Sequence, residues 1–312
     1  MSALGRYKTL AASLAITLIA TAAVLAGAHV LAGSRPAAAR PRAQACARAR
    51  QGMPYIGVAA VSLKGLHQFG AATGTRPGLL VIYRSFGTPL SAADVAPDLA
   101  CGILPLLQLN PYGVSLTAIA AGRYDAYLRR YGAALRHLGA RVALSFAPEA
   151  NGRWYSWGCG HTPAAVYVAA WRHIHDVITR AAGRRIIWVW DVNSPFPGSC
   201  SVGDRWPGAS YVDWVGLDGY PQTGEDTFAT VLAPAIVAVR AVTNKPVLIA
   251  ETGVSRVPGA AAFVQSLFAG AEDTPGVIGV TWFEYTSPHG DYRLENDPPA
   301  LAEFRREARN YH

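Results

Sequence analysis

An α/β fold, and within it a (β/α)8 TIM barrel, is predicted for this chain of 312 residues from three observations. From residue 51 onward, eight short apolar runs alternate with longer segments of helical periodicity. Most of the runs are continuously apolar, as expected of strands in a parallel sheet covered on both faces. The alternation occupies about 250 residues, the usual length of eight βα units. A doubly wound sheet is the second choice, but no G-x-G-x-x-G turn follows an early run.

Taken in order, the strand candidates are 55–61 (YIGVAAV), 79–86 (LLVIYRSF), 103–110 (ILPLLQLN), 142–148 (VALSFAP), 186–192 (IIWVWDV), 212–218 (VDWVGLD), 246–251 (PVLIAE) and 277–284 (VIGVTWFE). Helices are expected at four places between them. Thr117–Leu138 spaces Tyr124, Leu128, Tyr131 and Leu135 on one face, and Pro163–Ala182 opens with Thr-Pro, a cap followed by a first-turn proline. Thr227–Val242 and Gly259–Ala269 repeat the plan, with Pro234 expected to kink or shorten the former because it lacks an N–H.

The ends of the chain differ in character. Residues 1–50 hold seven of the 28 Lys and Arg and no Asp or Glu, which leaves 21 basic against 20 acidic residues beyond them. The formal charge of +8 therefore belongs to the N-terminal arm, and the nearly neutral remainder argues against nucleic acid as a partner. Within the arm, Leu10 to Gly33 is an apolar run without formal charge behind a short basic start. Its length favours a membrane anchor over a cleaved signal peptide, although Ala-Gly-Ala at 26–28 supplies a small-residue cleavage site. The expected organisation is a signal or anchor at 1–33, a basic Pro/Ala/Arg linker at 34–50 and one barrel domain at 51–312, placed outside the cytoplasm as a monomer. Cys46, Cys101, Cys159 and Cys200 fit export. Four cysteines allow three pairings, and the lack of any C-x-x-C spacing argues against zinc. Cys159 and Cys200 each lie in a Gly-rich loop after an apolar run, so a bridge between those loops, with Cys46–Cys101 as the second, is expected.

In a barrel of this kind the chemistry sits at the C-terminal ends of the strands. Two carboxylates close apolar runs there: Glu149 after the fourth and Glu251 at the end of the seventh. Two carboxyls brought to one mouth are what glycoside hydrolysis requires, one as proton donor and the other as nucleophile. A lone strand-end Glu is more often a structural ion pair, but aromatics flank both of these. Asn151, Trp154, Tyr155 and Trp157 follow Glu149 in one Gly-flanked loop, where indole faces can stack on sugar rings and an amide can bond hydroxyls. Asp191 and Asp218 end the fifth and sixth runs, as subsite residues or structural hydrogen-bond partners. Arg84 is a sugar contact or a balancing charge, and Glu284 is the substitute nucleophile. His173 and His175 point apart on a helix, and with His161 they make no shared metal site.

The segments APEANGRWYSWG, VWDVN, VDWVGLDGYP, KPVLIAETG and GVTWFEYTSPHGDYRLENDPPALAEFR resemble glycoside hydrolase family 26, the β-mannanases and related β-glycanases that place catalytic glutamates on strands 4 and 7. The resemblance spans roughly residues 142–306. It implies Glu149 as acid/base, Glu251 as nucleophile, Tyr220 as hydrogen-bond donor to the nucleophile and Trp282 as a floor of the sugar site. Asn151 and Trp154 match the family's conserved Asn and aromatic after the acid, and Asp291 and Arg293 match a D-x-R segment of structural character. Family members usually carry His before the acid; here the residue is Pro148. The expectation is a retaining hydrolase of β-linked polysaccharide, with β-mannan first and β-glucan or xylan after it, using no metal or organic cofactor. Its substrate-binding residues would be Asn151, Trp154, Trp157, Tyr220, Trp282 and Asp218. The alternative is a catalytically weak carbohydrate-binding or exopolysaccharide-assembly protein on the same barrel.

Overall fold

The computed structural model describes residues 54–255 and 258–312. The expected signal or anchor at 1–33, the linker at 34–50 and Cys46 lie outside the described residues. Eight parallel strands close into a barrel in sequential order. They are β1 (Tyr55–Ala59), β2 (Leu79–Ser85), β3 (Leu104–Asn110), β4 (Val142–Phe146), β5 (Ile186–Asn193), β6 (Trp214–Asp218), β7 (Val247–Thr252) and β8 (Val277–Phe283). Closure is made by β1 and β8, with Tyr55 level with Gly279. A two-residue hairpin, β9 (Thr286–Ser287) and β10 (Gly290–Asp291), follows the last strand.

The connections are α1 (Leu63–Thr73), α2 (Ala92–Ala100), α3 (Leu116–Ala120), α4 (Asp125–His137), α5 (Ala164–Ala182), α6 (Phe228–Val231), α7 (Ala233–Arg240) and α8 (Ala260–Asp273), with α9 (Pro298–Asn310) closing the chain. The helix expected over 117–138 is two helices: Gly122 sits at φ 78°, a left-handed turn that ends α3 and resets the axis before α4. The helix expected over 227–242 also divides, at Leu232, with Pro234 at the start of α7, where a missing N–H costs nothing. Helices α1, α2 and α9 fall outside the expected set. Each nevertheless carries a start signal: Ser62 and Ser91 cap the first two, and Asp297 caps α9 ahead of Pro298 and Pro299. Among the described residues no helix is long and apolar enough to cross a membrane.

Two apolar layers hold the barrel. Its interior is filled by alternate residues of the strands, including Ala59, Leu79, Val81, Leu106, Ala143, Val189, Leu248 and Ala250. The other parity faces the helices, where Leu144, Phe146, Trp188, Trp190, Val215, Leu217, Val247, Ile249, Val280 and Trp282 join one cluster with the inner faces of the helices. Inward parity thus carries Ser145, Asp191, Asn193 and Asp218 toward the axis. A disulfide joins Cys159 to Cys200, with Cα atoms 5.6 Å apart, and ties the loop after β4 to the loop after β5. No described cysteine is free.

Candidate active site

The acid candidate sits on a strained turn. Beyond β4, Ala147 and Glu149 adopt φ of 47° and 53°, left-handed values for side-chain-bearing residues on either side of Pro148. Each such residue costs roughly 1–3 kcal/mol and persists only where its surroundings hold it. Here Ala147 N–H donates to Leu109 O at 3.0 Å and Glu149 N–H to Asp191 O at 3.0 Å, while Gly152 N–H closes onto Glu149 O at 2.8 Å. The Trp157 indole donates to Pro148 O at 2.8 Å. Neighbouring strands and the following loop therefore dictate where the Glu149 side chain points.

Glu149 is 7% exposed and accepts two side-chain bonds, from Trp154 Nε1 to Oε2 at 3.0 Å and from Asn193 Nδ2 to Oε1. Burial, and next the charge of Glu251, push its pKa up to about 8. A carboxyl in that range holds its proton at neutral pH.

Glu251 reaches the mouth through an irregularity. Strict alternation from the inward Leu248 and Ala250 would turn it toward the helices. The register of β7 shifts against β8 between Ile249 and Thr252, and that of β6 shifts between Leu217 and Asp218 on the other side. The bulge re-aims the carboxylate, which is partly exposed. Both of its oxygens accept a phenol: Tyr220 Oη donates to Oε1 and Tyr83 Oη to Oε2. Burial raises its pKa, and the bonds from Tyr220 and Tyr83 pull it back. Both glutamates are raised by burial, but the charge of Glu251 adds to the shift of Glu149, whereas the largest influences on Glu251 after burial are the two phenols that lower it.

Beneath them lies a second carboxyl pair. Asp191 and Asp218 are 0% and 1% exposed, and Gln108 Nε2 donates to Asp191 Oδ2 at 2.9 Å. Asp191 Oδ1 and Asp218 Oδ1 have no donor from any other described side chain. A bond between the two carboxyls needs a proton on one of them, and their surroundings raise both. Burial and then the Asp191 charge drive Asp218 well above the carboxylate range, whereas burial brings Asp191 to about 7.

Of the expected sugar contacts, Trp154 and Tyr220 lie beside the glutamates and four others are corrected. Asn151 is 1% exposed and braces Asn193, donating to its carbonyl at 2.7 Å and accepting from its N–H at 3.0 Å. Trp157 is 1% exposed, stacked on Tyr155 at 4.2 Å under the loop. Trp282 shares the outward parity of Val280; it is 0% exposed, packs edge-on to Phe304 at 5.7 Å and donates to Tyr292 O at 2.9 Å. Asp218 is held in the buried pair. The aromatic facing the mouth from β8 is Phe283, whose ring lies 6.3 Å from Tyr83, 6.0 Å from Tyr220, 5.0 Å from Tyr285 and 5.4 Å from Tyr292. On the Glu149 side, Trp154 stacks with Phe196 of the β5 loop at 5.2 Å.

Residues outside the expected set are therefore Tyr83, Asn193, Phe196, Phe283, Tyr285 and Tyr292. Strand parity would have revealed Tyr83, which follows Leu79 and Val81, and Asn193, which follows Val189 and Asp191. Other candidates sit elsewhere: Arg84 pairs with Asp94 at 2.9 Å, Glu284 accepts the N–H of Leu294 at 3.2 Å, and Asp291 pairs with Arg293 at 2.7 Å. His173 contacts Asp125, His175 contacts Asp176 and His161 contacts the Arg153 carbonyl. Among the described residues no group of three His, Cys, Asp or Glu side chains is placed to hold a metal ion.

Comparison with known proteins bears on this arrangement. Residues 125–257 match the family model of glycosyl hydrolase family 26. Endoglucanase H of Acetivibrio thermocellus is 29% identical over 218 residues, 65% of this chain and 24% of that protein. The mannan endo-1,4-beta-mannosidase A and B of Caldalkalibacillus mannanilyticus is 30% identical over 173 residues, 50% of this chain and 31% of that protein. The chain thus spans less than a third of either relative. In overall shape it is similar to the catalytic domain of the family 26 endo-beta-1,4-mannanase of Bacillus sp. JAMB-750, with a TM-score of 0.65 at 17% identity over 82% of this chain and 86% of that one. A Cellulomonas fimi endo-beta-1,4-mannanase double mutant gives 0.63 at 17% identity, covering 82% and 70%.

Proposed function

We propose that this chain, which belongs to glycosyl hydrolase family 26, is a retaining glycoside hydrolase that cuts internal β-linkages in a polysaccharide, β-mannan first. The observation that carries the reading is the contrast between the two glutamates. Glu149 is raised to about 8 by burial and the charge of Glu251, while Glu251, raised by burial, is drawn back toward its ionised form by two phenols. In the first step a Glu251 oxygen bonds to the anomeric carbon as the glycosidic bond breaks, and the Glu149 proton goes to the leaving oxygen. In the second, Glu149 takes a proton from water, whose oxygen displaces Glu251 from the same carbon. No step calls on a metal or organic cofactor. Mannan is the first choice because mannan endo-1,4-beta-mannosidases stand among the relatives; endoglucanase H keeps β-glucan next, and xylan follows. Export is part of the proposal, carried by the apolar run at 10–33 and by the Cys159–Cys200 bridge. The test is hydrolysis of β-mannan, β-glucan and xylan by wild type beside Glu251→Ala. Wild type should release reducing ends with retained anomeric configuration, and the variant should lose the activity. Binding without hydrolysis of any of the three would instead support a carbohydrate-binding role on the same barrel.

A further inference from the structure

The Glu251 carboxylate is engaged at both oxygens. Tyr220 lies two residues past β6, the neighbour of β7, so it holds Oε1 from the side. Tyr83 projects from β2, across the barrel, and holds Oε2 from over the mouth. A sugar bound between Glu149 and Glu251 lies in that mouth, into which Tyr83 also projects from β2. With Oε2 as the attacking atom, the Tyr83 bond sits on the oxygen that reacts. That bond is strongest while the oxygen is charged and fades as the charge passes into the new carbon–oxygen bond. An interaction stronger in the ground state than in the transition state slows the chemical step unless binding replaces it. The Tyr83 ring is wedged edge-on between Phe283 at 6.3 Å and Tyr285 at 5.7 Å, which fixes its hydroxyl beside the carboxylate.

We infer that Tyr83 is a further active-site residue, whose phenol holds the attacking oxygen of Glu251 in the free protein and passes its hydrogen bond to an oxygen of the sugar when substrate binds. This rests on the retaining reading above. Tyr220, on the non-attacking oxygen, keeps its bond throughout.

The test compares Tyr83→Phe with Tyr220→Phe, both of which keep ring packing. The pH dependence of kcat/KM reports the free enzyme and that of kcat the substrate complex. Loss of a donor to the ionised nucleophile raises its pKa, so the acid limb moves to higher pH. Tyr83→Phe is expected to move the limb in kcat/KM only and to change kcat/KM above that limb by less than about tenfold, because the bond lost from the free enzyme offsets the one lost to the sugar. Tyr220→Phe is expected to move both limbs. Equal movement of both limbs by Tyr83→Phe would show that the bond is never passed on, and no movement would show that it is not made; either result overturns the inference. Titration of Glu251 by carbon NMR in the free protein reads the same bond without turnover. If it rises in Tyr83→Phe while wild type neither binds nor cleaves β-mannan, β-glucan or xylan, the function reading fails and the transfer to sugar fails with it. An unchanged titration beside active wild type sinks the Tyr83 role alone.

Discussion

The Trp157 indole donates to the carbonyl of Pro148 at 2.8 Å and thereby clamps the peptide that precedes Glu149. The clamp lies between two left-handed residues, Ala147 and Glu149, which would relax to ordinary backbone if it were released. Trp157→Phe keeps an aromatic in the buried slot and removes the donor. A lost buried hydrogen bond with some lost packing should cost about 2 kcal/mol in urea unfolding. Because the strained turn aims the acid, kcat should also fall about tenfold, the effect of roughly 1.4 kcal/mol on a barrier. Unchanged kcat in a destabilised variant would make Trp157 a packing residue only.

Glu149 must be protonated to serve as acid, and its pKa is raised to about 8. Activity should therefore hold through neutral pH and decline as pH rises through about 8. The same shift acts on stability. Glu149 in the unfolded chain titrates near the ordinary value of 4.5, and Asp191, raised to about 7, near 3.8. Groups raised on folding support the fold fully below their unfolded values, and that support is lost as pH climbs through the folded ones. Thermal stability should thus be greater at pH 5 than at pH 9, with a smaller difference in Glu149→Gln. A melting temperature that rises over that range would contradict the assignment.

Burial raises both Asp191 and Asp218, so the pair keeps a proton near neutral pH, and the two residues differ in that Asp191 also accepts from Gln108. Asp218→Asn keeps a donor toward Asp191 and should change stability by less than about 1 kcal/mol. Asp191→Asn keeps one acceptor oxygen in place of two and sets an NH2 against either Gln108 or Asp218, so one buried donor loses its partner at a cost of about 1–3 kcal/mol. Chemical unfolding of the two variants at pH 7 decides; equal losses would show that the Gln108 bond does not set Asp191 apart.

The Cys159–Cys200 bridge spans 41 residues and joins the loops that carry Trp154 and Phe196, whose rings stack 5.2 Å apart. Cys159→Ser with Cys200→Ser should lower stability by about 2–4 kcal/mol through the freed unfolded chain. The barrel strands do not depend on the bridge, so far-UV circular dichroism should be retained. A larger proportional loss is expected in kcat/KM, since Trp154 donates to Glu149. Retained kcat/KM in the double variant would show that the stack holds itself.

The barrel was legible because its information is local. Continuous apolar runs announce buried parallel strands, and Gly- and Pro-bounded segments of helical period announce the cover. Glu149 and Glu251 stood out for the same reason, as charges closing apolar runs. Trp157 is expected at the sugar from its place in the aromatic loop and Trp282 from the family resemblance, but both side chains are buried. Parity was present in the sequence and would have placed Trp282 with Val280 against α9, and Tyr83 with Val81 facing the axis. Parity alone, though, would have turned Glu251 the wrong way.

By itself, then, the sequence determined the number and order of strands, the ends at which chemistry gathers, and the two carboxylates offered to it. Tertiary structure decided the rest. It set the bulge that turns Glu251 inward, the clamp that holds Glu149 left-handed, the phenols reaching Glu251 from β2 and from beyond β6, and the proton between Asp191 and Asp218. Each depends on groups far apart in the chain: 168 residues separate Tyr83 from Glu251, and 44 separate Glu149 from Asn193. Local patterns encode which residues are buried, whereas a carboxylate's protonation depends on which distant donors and charges the closed barrel brings beside it.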